Sequence, residues 1–300
     1  MKFNQDAGQI GDDLERLKLR IRRCSGIPAP SGAGLRLLDL LKNPNAAVRD
    51  FEAVISGDPN LASALLRTAD TEVRAQSSHA TLRELIMRLG TKGLKSLAWS
   101  ATMRSSAMMS TRIPGFVDGR FARHSHAVAF LSKYLFARKF HNRPEGNTRW
   151  SADEIYLIGL VHDMSYPLLA LVAPDVHTRV AFLARKTEVT MSDAFQHIYG
   201  QPMTVLTPEI FSKLPSCEEL HRAIALMHAP WDYPEEYESL CCVVYADYLA
   251  TGPLNLATED WKVGTRLPPE ITEGDLLSDT EIDVVNKALE VHFVRCREAA

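Results

Sequence analysis

Apolar residues recur along this chain at intervals of three and four, and that spacing predicts helices almost throughout. Ile10, Leu14, Leu17 and Ile21 mark a first stripe, with Arg16, Lys18, Arg20, Arg22 and Arg23 mostly around it. The segment Gly26 to Gly32 ends it, because its prolines and glycines cannot continue a helix. Leu35, Leu38 and Leu41 open a second helix, and Val48, Phe51, Val54 and Ile55 a third. Asp58-Pro59 reads as a helix start, a carboxylate for free backbone N–H groups followed by proline at the first helical position. Leu82, Leu85, Ile86 and Leu89 form the next stripe, ended by Gly90, and Lys92 to Met109 another helix. After the break at Thr111 to Gly119, Phe121 to Phe140 reads as one long helix. Ser151/Glu154, Ser216/Glu219 and Ser278/Glu281 have capping-box spacing and start three more. Thr251 to Gly274 reads as a long surface loop before a final helix at about Asp279 to Arg297. No strand rhythm, glycine-rich phosphate loop or internal repeat is visible, so the expected class is all-α.

Composition narrows the class. Of 300 residues, 46% are hydrophobic and 24% charged, which is globular usage and argues against disorder. A net charge of −3 gives no global attraction to nucleic acid. The run Leu168 to Val172 is far too short to cross a bilayer, and the polar start at Met1 to Asp13 lacks the order of a secretory signal. Cys24, Cys217, Cys241, Cys242 and Cys296 are odd in number and contain no CxxC pair, so they read as reduced thiols in a cytoplasmic setting.

The chemically informative residues are polar ones on apolar faces, since a buried polar group needs a partner. His124 shares a face with Val128, Leu131 and Leu135. His162 shares one with Ile155, Ile158 and Gly159, and Asp163 follows it; Asp247 lies with Leu240, Val243 and Val244. Singly, each has a plainer reading: a core histidine bonded to a carbonyl, or an aspartate capping a helix. Together they suit one divalent metal, Fe, Mn or Zn better than Mg. His126 falls about 200° around the helix from His124, so only one of the two can face a shared point.

Several motifs then resemble a known family. Ile27-Pro28-Ala29-Pro30 before the Leu35 to Leu41 helix, Asp58-Pro59-Asn60-Leu61 leading to Leu65-Leu66-Arg67-Thr68-Ala69, and Leu82 to Gly90 are similar to the first half of HDOD domains. Arg123-His124-Ser125, Gly159-Leu160-Val161-His162-Asp163-Met164, Ala223 to Pro230 with His228, and Ala246-Asp247 resemble the second half, in order. The resemblance implies an HD-like multi-helical bundle with an N-terminal helical lobe: a helix over 1–21, a domain over 22–250 with lobes 22–113 and 119–250, and an added loop and helix over 251–300. It also implies the metal set His124, His162, Asp163 and Asp247, the residues the stripes select.

The departures from the catalytic relatives matter. Where HD hydrolases have glycine and then lysine after the His-Asp pair, this chain has Ser165 and Tyr166, so a phosphate clamp is missing. Met203 and Met227 stand where further histidine ligands are common, and thioethers suit a hard metal poorly. The resemblance therefore implies a non-catalytic bacterial signalling protein acting through a protein partner or a small nucleotide-like ligand. The alternative is a metal-dependent phosphohydrolase acting on a nucleotide or cyclic dinucleotide, with Asp163 as base. Nucleic acid is the weakest candidate, because basic residues beside an apolar stripe are ordinarily a solvated face. Residues 251–300 have three roles open to them: docking on the core, covering the pocket, or making a homodimer.

Overall fold

The computed structural model describes residues 7–23, 32–58, 61, 62, 65, 81–104, 120–142, 148–163, 165–206, 209, 218–226, 234–257, 267, 271 and 276–298. Every regular element among them is helical. In chain order these are α1 (Ala7–Arg23), α2 (Gly32–Lys42), α3 (Val48–Ser56), α4 (Leu82–Arg104), α5 (Arg120–Phe140), α6 (Ala152–Val161), α7 (Ser165–Val172), α8 (Pro174–Thr187) and α9 (Met191–Tyr199). A short 3-10 turn (Met203–Leu206) precedes α10 (Glu218–Leu226), α11 (Pro234–Thr251) and α12 (Asp279–Glu298).

The apolar stripes explain the packing. Leu37 and Leu38 of α2, Phe51 and Ile55 of α3, and Leu85, Ile86, Leu94 and Leu97 of α4 are buried where these three helices meet. Asp58 starts the next helix as expected: its Oδ1 accepts from the Leu61 N–H at 3.1 Å. Gly90 (φ 63°, ψ −177°) breaks α4 into two helical halves, in a left-handed region that glycine enters without strain.

The later helices pack around α5, which contacts α6, α11 and α12. α5 and α6 approach closely because Gly159 has no side chain. A Cβ there would lie 2.8 Å from Ser132 Oγ and 2.9 Å from Ala129 Cα. Two expected capping boxes are present at Ser151/Glu154 and Ser278/Glu281, and Thr81/Glu84 and Thr190/Asp193 make two more. The box at Ser216/Glu219, the Thr111 to Gly119 boundary, Met227, His228, Cys24 and Cys217 lie outside the described residues.

Three expectations change. Ala152–Val172 is long and apolar enough to cross a membrane, contrary to the sequence reading, but most of it is buried in the core and it comprises α6, a turn and α7. The basic side of α1 is not wholly solvated. Leu14, Leu17 and Ile21 pack α1 onto the bundle, where it contacts α9, while Arg20 bonds Asp175 at 2.7 Å and Arg22 makes a bidentate pair with Glu209 at 2.5 and 2.6 Å. The stretch after Thr251 is more than a surface loop. Its backbone folds onto the end of α11, with Leu254 N–H bonding Leu249 O and Leu256 N–H bonding Ala250 O, and Ala257 and Ile271 are buried.

Candidate metal centre

Three helices deliver the four polar groups that the stripes single out. His124 projects from the first turns of α5, and its ring is 2% exposed. His162 caps the C-terminus of α6, also 2% exposed, with Asp163 in the turn before α7. Asp247 stands on α11. The close approach at Gly159, one turn before His162, brings α6 near enough to α5 for the two imidazoles to meet.

The donor atoms converge. His124 Nε2 lies 3.3 Å from His162 Nε2, 3.3 Å from Asp247 Oδ1 and 3.6 Å from Asp163 Oδ2. His162 Nε2 lies 3.2 Å from Asp163 Oδ2 and 3.7 Å from Asp247 Oδ1. One cation with bonds of about 2.0–2.2 Å holds tetrahedral donors about 3.3–3.6 Å apart, so these separations suit a single ion. Both histidines and Asp247 each offer one atom to a mutual cluster within 4.8 Å.

The outer nitrogens fix how the rings can act. His124 Nδ1 is 3.1 Å from the Leu256 carbonyl, and His162 Nδ1 is 2.7 Å from the Gly159 carbonyl. A carbonyl only accepts, so both Nδ1 atoms carry hydrogen and donate. In the neutral rings both Nε2 lone pairs therefore face one another and two carboxylates, an arrangement that requires a cation or protons between them. Metal-ligating histidines are oriented by just such outer hydrogen bonds.

The electrostatics agree. Burial alone would lower the pKa of His124, but hydrogen bonds to Asp163 and Asp247 outweigh it and push the value up to about 9. Burial likewise opposes the rise at His162, where the Asp163 charge dominates in the other direction. Burial works to raise Asp163 and Asp247, yet the two histidines hold both carboxyls below their usual range. Without a metal the cluster therefore keeps protons in the place of the ion.

The centre has a closed floor and an open mouth. The imidazoles are buried, whereas the side chain of Asp163 is 15% and that of Asp247 41% exposed. Tyr166 is buried at 6%, and Met203 at 2%. Among the described residues no lysine or arginine lies within ion-pair distance of Asp163 or Asp247. His126, on the far side of α5, packs instead beside the ring of His292, with centroids 6.0 Å apart. Sequence reasoning did not foresee two contributors, the Leu256 carbonyl and Thr251, whose Oγ1 donates to Asp247 Oδ1 at 3.3 Å.

An all-helical bundle with an adjacent His-Asp pair, a second histidine and a distal aspartate around one point is the architecture of HD-type proteins. The family model described as the HDOD domain matches residues 27–230, and the chain belongs to that family. Solved structures share the fold. An HDOD domain protein of unknown function from Geobacter sulfurreducens is 17% identical, with TM-score 0.62 over 96% of this chain and 98% of that one. A provisionally assigned signal transduction protein from Marinobacter aquaeolei is 19% identical, with TM-score 0.61 over 99% of this chain; the match spans 66% of that longer protein. A provisionally assigned metal-dependent phosphohydrolase from Shewanella amazonensis is 14% identical, with TM-score 0.58 over 94% of this chain and 98% of that one. No curated protein matches the chain in sequence.

Proposed function

We propose that this protein is a regulatory HDOD module that holds one divalent ion with His124, His162, Asp163 and Asp247. It signals through a protein partner or a small nucleotide-like ligand and does not hydrolyse phosphate esters. The observation that carries the metal reading is the convergence of two Nε2 atoms and an Asp247 oxygen, with Asp163 Oδ2 at 3.2 and 3.6 Å from the two nitrogens and each Nδ1 committed to a backbone carbonyl. Imidazole in half of the donor set favours Zn, Fe or Mn over Mg. When bound, such an ion supplies a Lewis-acid charge that can fix a ligand's phosphate or a partner's carboxylate at the mouth beside Asp247.

The non-catalytic half rests on what faces that mouth. Phosphoryl chemistry needs fixed positive charge for the oxygens of its transition state. By the family motif Tyr166, which is buried, stands at the hydrolase clamp position, and no lysine or arginine among the described residues pairs with either carboxylate. One observation favours the hydrolase reading instead: the partly exposed Asp247 leaves the centre open to a substrate. A cytoplasmic, reducing setting suits Cys241 and Cys242, both buried. Nucleic acid is left out because Arg20 and Arg22 of the basic helix are engaged by Asp175 and Glu209.

Metal analysis of protein purified without chelator, paired with phosphatase assays in Mn on nucleotides and cyclic dinucleotides, decides the matter. One Fe, Mn or Zn per chain, lost in His162→Ala, with no turnover, is the expected result. Turnover abolished by Asp163→Ala would overturn the regulatory reading. Failure of the wild-type chain to retain or take up any divalent ion would overturn the metal reading.

A further inference from the structure

The described chain beyond α11 holds His124 and Asp247 in place without supplying a ligand of its own. Leu256 does so through its backbone alone. Its carbonyl accepts from His124 Nδ1 of α5 at 3.1 Å, and its N–H donates to the Ala250 carbonyl of α11 at 2.7 Å. One residue therefore ties the helix of His124 to the helix of Asp247, whose facing atoms are 3.3 Å apart.

α12 bridges the same two helices again. The Leu277 N–H, just before it, donates to Tyr245 Oη of α11 at 2.8 Å. On α5 the contact is Arg123, the residue before His124. Its guanidinium bonds Glu290 at 2.5 Å and lies 4.6 Å from the centre of the Phe293 ring. Val285, Leu289 and Phe293, spaced by four on one face of α12, are buried beneath these contacts.

A neutral imidazole has two tautomers, and only the one with hydrogen on Nδ1 leaves Nε2 free to ligate. The Leu256 carbonyl, which only accepts, selects that tautomer. The turn at Asn255 aims the carbonyl, with φ of 51° in the left-handed region. Asn255 is itself exposed, so its substitution acts on the turn and leaves the core intact. Removing an outer hydrogen bond of this kind from a metal-ligating histidine typically costs about 10–100-fold in metal affinity. The whole segment lies beyond the family match, which ends at residue 230.

We infer that residues 252–298 act as a strap that sets the affinity of the metal centre, with Leu256 as its positioning group and α12 as its anchor. The inference rests on reading the centre as a metal site. Seating the strap and binding an ion each favour the other by the same factor, because coupling between two equilibria is reciprocal. The ion therefore registers whether α12 is seated on α5.

Zinc affinity of the full chain, measured against a chromophoric chelator at fixed pH, tests this together with amide hydrogen exchange. Asn255→Val places a β-branched residue in the left-handed turn and should weaken zinc by about tenfold or more. Asn255→Gly, which enters that region without strain, should bind zinc as the wild type does. Phe293→Ala loosens the anchor while keeping all four ligands, and should weaken zinc as well. Leu17→Ala in α1 lowers stability away from the strap, and its zinc affinity should match wild type. In the wild type, zinc should slow exchange at the Leu254 and Leu256 amides and along α12. Unchanged affinity in Asn255→Val or Phe293→Ala, an equal loss in Asn255→Gly or Leu17→Ala, or strap amides indifferent to zinc would overturn the proposal. A wild-type chain that binds no zinc sinks the metal reading and the strap together. A wild-type chain that binds zinc no more tightly than Asn255→Val sinks the strap alone.

Discussion

The bundle holds two kinds of charged contact that behave in opposite ways. At the N-terminal end of α5, His124 enters a buried knot of two imidazoles, with a carboxylate oxygen of Asp163 and one of Asp247 each within 3.7 Å of both Nε2 atoms. Along the outer seam of the bundle, Arg20 and Arg22 of α1 reach Asp175 and Glu209 as complete ion pairs in partial contact with water. The seam is electrically finished without any addition, and water screens whatever it gains. The knot is not: its stability depends on what occupies the space between the donors, because a low-dielectric interior magnifies an unbalanced charge. Burial alone therefore does not separate a structural cluster from a functional one. The distinction lies in whether the groups satisfy each other.

The largest effect that follows concerns pH. With His124 raised from 6.5 to about 9, the metal-free protein gains stability from this proton that is fully present below about pH 6.5 and lost as pH rises through about 9. The depressed carboxyls act at the other end: their contribution is present above the usual carboxylate range and lost as pH falls through their lowered values. Metal must displace the histidine protons, so its affinity should rise with pH between about 6.5 and 9, by about tenfold per unit for each proton released. Zn titrations in buffers of different ionisation enthalpy would count those protons. An affinity independent of pH across that window would mean that the ion binds elsewhere.

A second test sharpens the comparison by moving the knot without touching its charges. Gly159→Ala forces a methyl against Ser132 Oγ and the backbone of Ala129 and Val128. Neither helix backbone can yield by a few tenths of an ångström without moving His124 or His162. Overpacking of this kind costs about 1–3 kcal/mol, measurable by urea unfolding of the metal-free chain. Metal uptake should weaken as well. Full retention of both would show that α5 and α6 are free to slide, and that Gly159 does not set the distance between the rings.

Much of this was legible in the sequence, and the part that was not has a physical reason. Helical spacing singles out His124 over His126 because the two differ by about 200° around α5, and the structure places one in the knot and the other beside His292. Asp247 is readable in the same way, from the apolar neighbours that precede it on α11. The Leu256 carbonyl was not, since a backbone oxygen carries no residue identity. The nearest sequence signal is Asn255, whose φ of 51° turns the chain after α11, and asparagine tolerates the left-handed region better than most residues. The docking of α1 also left no periodic mark. Its ion pairs join residues 155 and 187 positions apart, and an amphipathic stripe shows which face is buried without showing against what.

The smallest effect tests the finished side of the comparison. Arg22→Ala removes a bidentate guanidinium from Glu209, but the arginine side chain is 51% exposed, and the long chain is ordered to make the contact. What seats α1 is Leu14, Leu17 and Ile21, all buried and independent of salt. The melting temperature of Arg22→Ala should therefore differ only slightly from wild type at low ionic strength. In about 1 M salt, where the screening length shrinks to about 3 Å, most of the difference should close. Leu17→Ala should lower the melting temperature further, and by the same amount at either salt concentration. A salt-insensitive loss in Arg22→Ala that rivals Leu17→Ala would mean that the guanidinium stem supports α1 by packing, and the seam would then belong with the buried contacts rather than opposite them.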